Sequence, residues 1–530
     1  MKKKVLNGVF FLLYVCVTAL SSCETKDDDV INTLARPDID LKELGSGHDS
    51  PNDKMGYIGR DIHVEAEIVA EGSIEQIELV IKQTDGSYMF NKVYTDEQYV
   101  GKLNTVFHKH LDIPAESVEG NYQFYFIVTD KLGQSTEVKS ELTLKDYGTD
   151  APEPEVKEYE GVKLIVTYIH NNSIDLREPF SDRNDVLQAS SVNSKISTDI
   201  RYFVANIALY SESHLDFVFT GLDLHFDHFH TYQPEVRSSI EAHLATETYW
   251  RMHTAASFQK GTGDIIYTGA ENVLNGVSPV VIKGVSAPHE GMAVALGSQY
   301  FAVTDTETNE DTPSIIKVVK SDNTVVKQFT NYKKISGFAN FRIDYIDQAV
   351  FATDKNLLTL NIGYSTDYKL IEGTIPNPMS FGEEPFDELH NVKDLTKTSV
   401  LGIKKNQGVY NIDLKTRQID QLLSLTNIEL VVFDFEDKFC YILTSDGILT
   451  AYNTNDFSKI NDVRFRLKNG KIPRIVASRK FVYVAYEGDK SIMRFGVPDL
   501  IQYKSIHVND EISDIGLAGN LEEVMINNHK

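Results

Sequence analysis

From about Gly161 onward the chain is a succession of short apolar runs that recur in units of roughly 40 to 50 residues. A unit of this kind cannot bury its apolar faces alone. It must stack on its neighbours, so this period limits the fold more than any other feature. One unit spans Gly291 to Phe329 and holds the runs Met292 to Leu296, Tyr300 to Val303, Ser314 to Val318 and Val325 to Phe329. Four strands per unit is the make-up of a propeller blade. Other units open near Phe341, Ser399, Ile428 and Arg474, with turns such as Ser445-Asp446-Gly447 between their strands. Dividing residues 161–530 by blade length predicts roughly seven blades. The last piece, Ile512 to Ile526, is half a blade, and strands near Ile200 to Leu209 are expected to complete it and close the ring. The one candidate for an amphipathic helix is Pro234 to Ala245.

Residues 37–146 follow a different pattern. Runs such as Ile62-His63-Val64-Glu65-Ala66-Glu67-Ile68 and Tyr122 to Val128 alternate with period two. Asp85-Gly86 and Leu132-Gly133 supply turns. Several short alternating strands with spaced turns predict an immunoglobulin-like β-sandwich. Residues 147–160 form a linker, stiffened by Pro152 and Pro154 among acidic neighbours. The expected fold class is all-β, a sandwich followed by a roughly seven-bladed propeller.

The N-terminal residues read as an export signal. Lys2, Lys3 and Lys4 precede the uncharged apolar run Val9 to Leu20, which is too short to span a bilayer comfortably. Leu20-Ser21-Ser22-Cys23 resembles the bacterial lipobox, which implies cleavage after residue 22 and lipid on Cys23. Each buried methylene of such a lipid contributes about 0.8 kcal/mol to anchoring. Residues 23–36 form an acidic tether. Its Lys26-Asp27-Asp28-Asp29 resembles the signal that sends Bacteroidetes-type lipoproteins outward, which implies an outer-membrane protein exposed at the cell surface.

The chain holds 3 cysteines. With Cys16 in the signal and Cys23 lipidated, Cys440 stands alone in an apolar run and reads as a buried small hydrophobe. No internal disulfide is possible, and thiolate metal or redox sites are excluded. The formal charge of -25 argues against nucleic acid as a partner, because phosphate binding needs clustered basic residues. It favours cations near the surface.

Histidine placement carries the functional signal. His225, His228 and His230 fall within six residues, together with Asp227. Neutral imidazole nitrogen and carboxylate oxygen are zinc donors. His253, His289 and His390 each precede a strand-like run. In a propeller, equivalent positions of different blades meet at one mouth of the axial channel, so these three could form one site. Glu290 could add a carboxylate.

Trp250-Arg251-Met252-His253, Pro288-His289-Glu290-Gly291-Met292-Ala293-Val294 and Glu388-Leu389-His390-Asn391 resemble the spaced motifs of AztD-type periplasmic zinc metallochaperones. That resemblance covers about Ile200 to the end. It implies a propeller holding Zn²⁺ near its channel and passing it to the binding protein of a zinc ABC importer. It also implies a collecting loop, to which His225 to His230 is similar. Two positions depart from the family, Glu290 where a second His is common and Asn391 where a Gly follows the His.

The sandwich has its own cluster. His63 and Glu65 share one face of an alternating run, His108 and His110 share another, and His48 lies in a loop. Two such strands could meet at metal-ligand distance. Gly59 to Glu67 with His108 to Pro114 resembles an uncharacterised domain of Bacteroidetes-type lipoproteins, a resemblance that favours metal.

The reading is therefore a non-catalytic zinc-binding lipoprotein that captures zinc and passes it to an uptake system, whether an importer's binding protein or an outer-membrane receptor. Two alternatives are open. One is a surface adhesin or glycan-binding lipoprotein. The other is a metal-dependent hydrolase with Glu290 as its base. No His-Glu-x-x-His, phosphate-cradling glycine loop or Gly-x-Ser-x-Gly elbow is present.

Overall fold

A computed structural model of the chain describes residues 34–519. It omits 48–51, 87–88, 115–116, 155–160, 179–183, 199–203, 225–228, 252–253, 298, 308–311, 344–345, 364–367, 392–398, 435–436, 465–466 and 468–470. The signal, lipobox and acidic tether expected before residue 34 therefore lie outside the described residues. Of the described residues, one compact unit comprises 34–44 with Val64–Lys109 and Gln123–Glu141, and the other comprises Gly45–His63, His110–Tyr122 and 142–519.

The N-terminal strands are β1 (Asp38–Gly45), β2 (Met55–Tyr57), β3 (Asp61–Val69), β4 (Ile74–Gln83), β5 (Met89–Tyr94), β6 (Asn104–Asp112), β7 (Gly120–Asp130) and β8 (Ser135–Lys145). They form two sheets, ordered β1-β3-β6 and β2-β8-β7-β4-β5. Strands β3, β6 and β7 each run from one compact unit into the other. Alternation decides the faces. Val64, Ala66 and Ile68 of β3 are buried, as are Leu79 and Ile81 of β4 and Phe124, Phe126 and Val128 of β7. Phe107 of β6 meets Phe126 edge-on at 5.1 Å, joining the inner faces of the two sheets. A sandwich results, as the alternation predicts.

The remaining sheets form a propeller. Among the described residues it has eight blades, where division by unit length gives about seven. Blade one holds Lys163–Tyr168, Ser173–Arg177, Asn184–Gln188 and, from the far end of the chain, Ile512–Ala518. The later blades follow in chain order. Their first strands are Lys195–Thr198, Tyr249–Arg251, Ala293–Ala295, Ile335–Ile343, Glu388–Asn391, Ile428–Phe433 and Arg474–Ala477. These are the inner strands, since neighbouring blades touch through them while fourth strands such as Val325–Phe329 are exposed.

A buried apolar cluster fills each junction. Blades three and four meet through Phe258, Ile265, Ala293 and Phe301, and blades eight and one through Tyr483, Ile492, Leu164 and Ile515. Apolar burial of this kind contributes about 25 cal/mol per Å². It holds the ring without disulfides, and Cys440 is a buried free thiol.

Closure differs from the sequence expectation. Ile512–Ala518 pairs antiparallel with Lys163–Tyr168, placing Ile515 opposite Val166 and Leu517 opposite Leu164. The strand Val204–Tyr210, expected as its partner, instead pairs with Lys195–Thr198 and His214–Leu224 in blade two. Side chains tie the closing strand to both neighbouring blades. Asp514 accepts the Ile196 backbone N–H at 2.8 Å, and Arg474 Nε lies 3.3 Å from Asp514 Oδ1.

Pro234 to Ala245 is not a helix. Glu235–Glu241 is a strand paired with His214–Leu224. Its apolar Val236 and Ile240 stand four apart, a spacing common to one helix face and one strand face, and the long partner strand decides between them.

Candidate metal centres

His289 precedes the inner strand of blade four and is buried. Its Nδ1 lies 2.7 Å from the Ala287 carbonyl oxygen, which can only accept, so Nδ1 carries the proton and donates it. Nε2 is then left as an acceptor, 3.0 Å from Thr304 Oγ1. The ring also packs edge-on against Phe258 at 4.9 Å. Burial lowers its pKa, opposed by the Ala287 hydrogen bond. Both nitrogens are therefore engaged inside the junction between blades three and four.

Gly291 explains the rest of the His289-Glu290-Gly291 motif. A Cβ there would stand 2.5 Å from Phe258 Cε1 and 2.6 Å from His289 Nε2, so only glycine admits the imidazole. Glu290 is exposed and paired with Lys260.

His390 is the third residue of the inner strand of blade six and is opposite Leu401. Leu389 points the other way into an apolar junction. The half-buried His390 ring lies 5.2 Å from Phe433, on the inner strand of blade seven. Its Nε2 is 3.4 Å from Glu388 Oε2, and Glu388 Oε1 is 3.2 Å from Lys405 Nζ. Burial raises the Glu388 pKa, but the hydrogen bond and charge of His390 and the charge of Lys405 outweigh it, so the net shift is downward. Sequence reasoning missed Glu388, although its position two residues before His390 on one strand face was legible.

The expected equivalence of His253, His289 and His390 does not hold for the two described members. His289 stands before its inner strand, whereas His390 stands within one. His253 lies outside the described residues; the strands on either side of it pair Arg251 with Thr254. His225, Asp227 and His228 also lie outside them. His230 is exposed, opposite Asp223 in register, with its ring 6.3 Å from Tyr232.

In the sandwich the predicted residues do come together. His63 and Glu65 of β3 and His108 of β6 each offer a ligand atom, and all three atoms lie within 4.8 Å of one another. His108 Nδ1 is 2.9 Å from Glu65 Oε2. His110 Nδ1 is 2.5 Å from Asp61 Oδ2, and the His63 and His110 rings stack with centroids 5.3 Å apart. Asp61 was not foreseen, though the same alternation places it on this face. His48 lies outside the described residues. Among the described residues this triad is the one group of three or more histidine, cysteine or acidic side chains able to hold a metal ion.

Residues 21–145 match the family model described as "Domain of unknown function (DUF4625)". No curated protein matches the chain. Among solved structures it is similar to AztD of Citrobacter koseri, with 16% identity and a TM-score of 0.59 over 68% of this chain and 99% of AztD. The apo form of the same protein gives 15% identity and a TM-score of 0.58, over 68% of this chain and 100% of that one. BamB of Moraxella catarrhalis aligns at 12% identity and a TM-score of 0.39, covering 60% of this chain and 92% of BamB. At these identities the AztD likeness is one of fold, an AztD-like propeller.

Proposed function

We propose that this chain is a lipid-anchored zinc-binding protein that captures the ion and passes it to an uptake system without catalysing a reaction. The observation that carries the reading is the His390–Glu388 pair on an inner strand of an AztD-like ring, imidazole and carboxylate 3.4 Å apart. Imidazole and carboxylate together form a borderline donor set suited to zinc. An inner strand is also where donors of several blades can converge. The donors assigned to the propeller are His390 and Glu388, with His253 and the His225, Asp227, His228 and His230 segment as the remaining candidates.

His289 does not fit that role, because metal binding there would break the Thr304 hydrogen bond within the blade junction. Glu290 is exposed and pairs with Lys260, as Glu388 pairs with Lys405, and stays a candidate. When bound, the ion needs only donor exchange to move on, so no general base is required. Lipid on Cys23 would hold the protein at the outer membrane. The receiving partner would be a zinc importer's binding protein or an outer-membrane receptor.

The test is metal analysis of the purified full-length chain beside a His390→Ala/Glu388→Gln variant. The variant is expected to retain less zinc, and to lose transfer to a metal-free acceptor. Unchanged zinc content in a folded variant removes the propeller site.

A further inference from the structure

We infer that the β3–β6 face of the sandwich is a transition-metal site in its own right, with His63, Glu65 and His108 as ligands and Zn²⁺ as the ion it fits best. It stands independently of the propeller reading and gives the domain of unknown function a chemical role.

The first support is distance. Zinc sits about 2.0–2.1 Å from nitrogen and about 2.0–2.2 Å from oxygen, which puts the corners of a tetrahedron about 3.3–3.5 Å apart. The three donor atoms already lie within 4.8 Å of one another, so side-chain torsions of an ångström or so complete the geometry. Two of the donors belong to one strand and stand two residues apart, which fixes their common face without any loop rearrangement.

The second support is burial. Ile62, Val64, Ala66 and Ile68 make the inner face of β3, so His63 belongs to the outer one. An outer-face histidine is ordinarily solvated, yet His63 is 1% exposed. Glu65 is half-buried and His108 exposed. The site thus has a shielded floor and an open side through which a hydrated ion can enter. An ordinary solvated sheet face would have no such floor.

The third support is the donor chemistry. In the metal-free chain His108 Nδ1 lies 2.9 Å from Glu65 Oε2, a carboxylate oxygen that accepts, so Nδ1 donates. A cation binds the carboxylate and a ring nitrogen that carries no proton, so ligation at Nδ1 moves that proton to Nε2 and nothing else has to leave. Calcium and magnesium prefer all-oxygen shells, whereas two imidazoles and one carboxylate suit zinc, leaving a fourth position for water or an incoming donor. The Asp61–His110 pair beside the triad positions it, because His110 stacks on His63 and Asp61 holds His110.

The experiment titrates the metal-free full-length chain with Co²⁺ and then Zn²⁺, in a His390→Ala background so that the propeller pair does not contribute. A tetrahedral cobalt spectrum that zinc displaces is expected. It should vanish in His63→Ala/His108→Ala and weaken in Glu65→Gln. Glu65→Gln keeps shape and serves if the double variant misfolds. Cobalt spectra and zinc stoichiometry unchanged in folded Glu65→Gln and in the double variant would overturn the site. Because the background already lacks His390, that result leaves the propeller reading untouched.

Discussion

Replacing His289 separates a histidine that builds a blade junction from one that binds metal. In His289→Ala the Ala287 carbonyl and the Thr304 hydroxyl each lose one partner, while Ser286 still reaches Ala287 and Met292 still pairs with Thr304. Each net hydrogen bond is worth about 1 kcal/mol. Removing a ring packed against Phe258 also leaves a cavity, and large-to-small core changes cost about 2–5 kcal/mol. The terms overlap, so the expected loss is about 3–5 kcal/mol. His289→Asn should recover about half of it, because the Asn amide nitrogen can take over donation to Ala287 while the bond to Thr304 is not replaced. Gly291→Ala should act like a partial deletion, since its methyl collides with the same ring. Urea unfolding of the full-length chain, read by the midpoint at unchanged slope, measures all three. Zinc content is measured in parallel and should not change. A normal midpoint in His289→Ala accompanied by lost zinc would refute this reasoning and return His289 to the metal site.

The same residue predicts a pH dependence. Its folded pKa lies below the unfolded value of about 6.5, so the unfolded chain binds the extra proton. The stabilisation is complete above pH 6.5 and is lost as pH falls from there towards the folded pKa. Urea midpoints of wild type should drop across that window more steeply than those of His289→Asn. Gly516→Ala should weaken ring closure, because its Cβ would stand 2.6 Å from Ile196 Cγ2. Overpacking of this kind costs about 1–3 kcal/mol, so an unshifted thermal midpoint would count against the closing strand being tightly packed. Cys440 is buried and burial pushes its thiol pKa up. Maleimide should therefore label it only in denaturant, as read by peptide mass, and labelling of the native chain would show that the blade six–seven junction opens.

Period and alternation carried the fold a long way. The unit Gly291 to Phe329 became four strands near the runs read from sequence, because each is a short apolar or β-branched run bounded by turn residues, a signal local to the strand. In the sandwich, two-residue alternation likewise put His63 with Glu65 and His108 with His110. Hydrogen-bond partners far apart in sequence were not legible. Ring closure by Lys163–Tyr168, the eighth blade and the strand at Glu235–Glu241 all depend on which distant edge offers the better pairing, and that is settled only when blades stack. The same holds for the histidines. A motif of His, Glu and Gly looks identical whether its imidazole faces a metal or a threonine. Only the packing of Phe258, Thr304 and Gly291 around His289 spends that ring on structure, while the neighbouring strands β3 and β6 bring His63, Glu65 and His108 within a metal's reach.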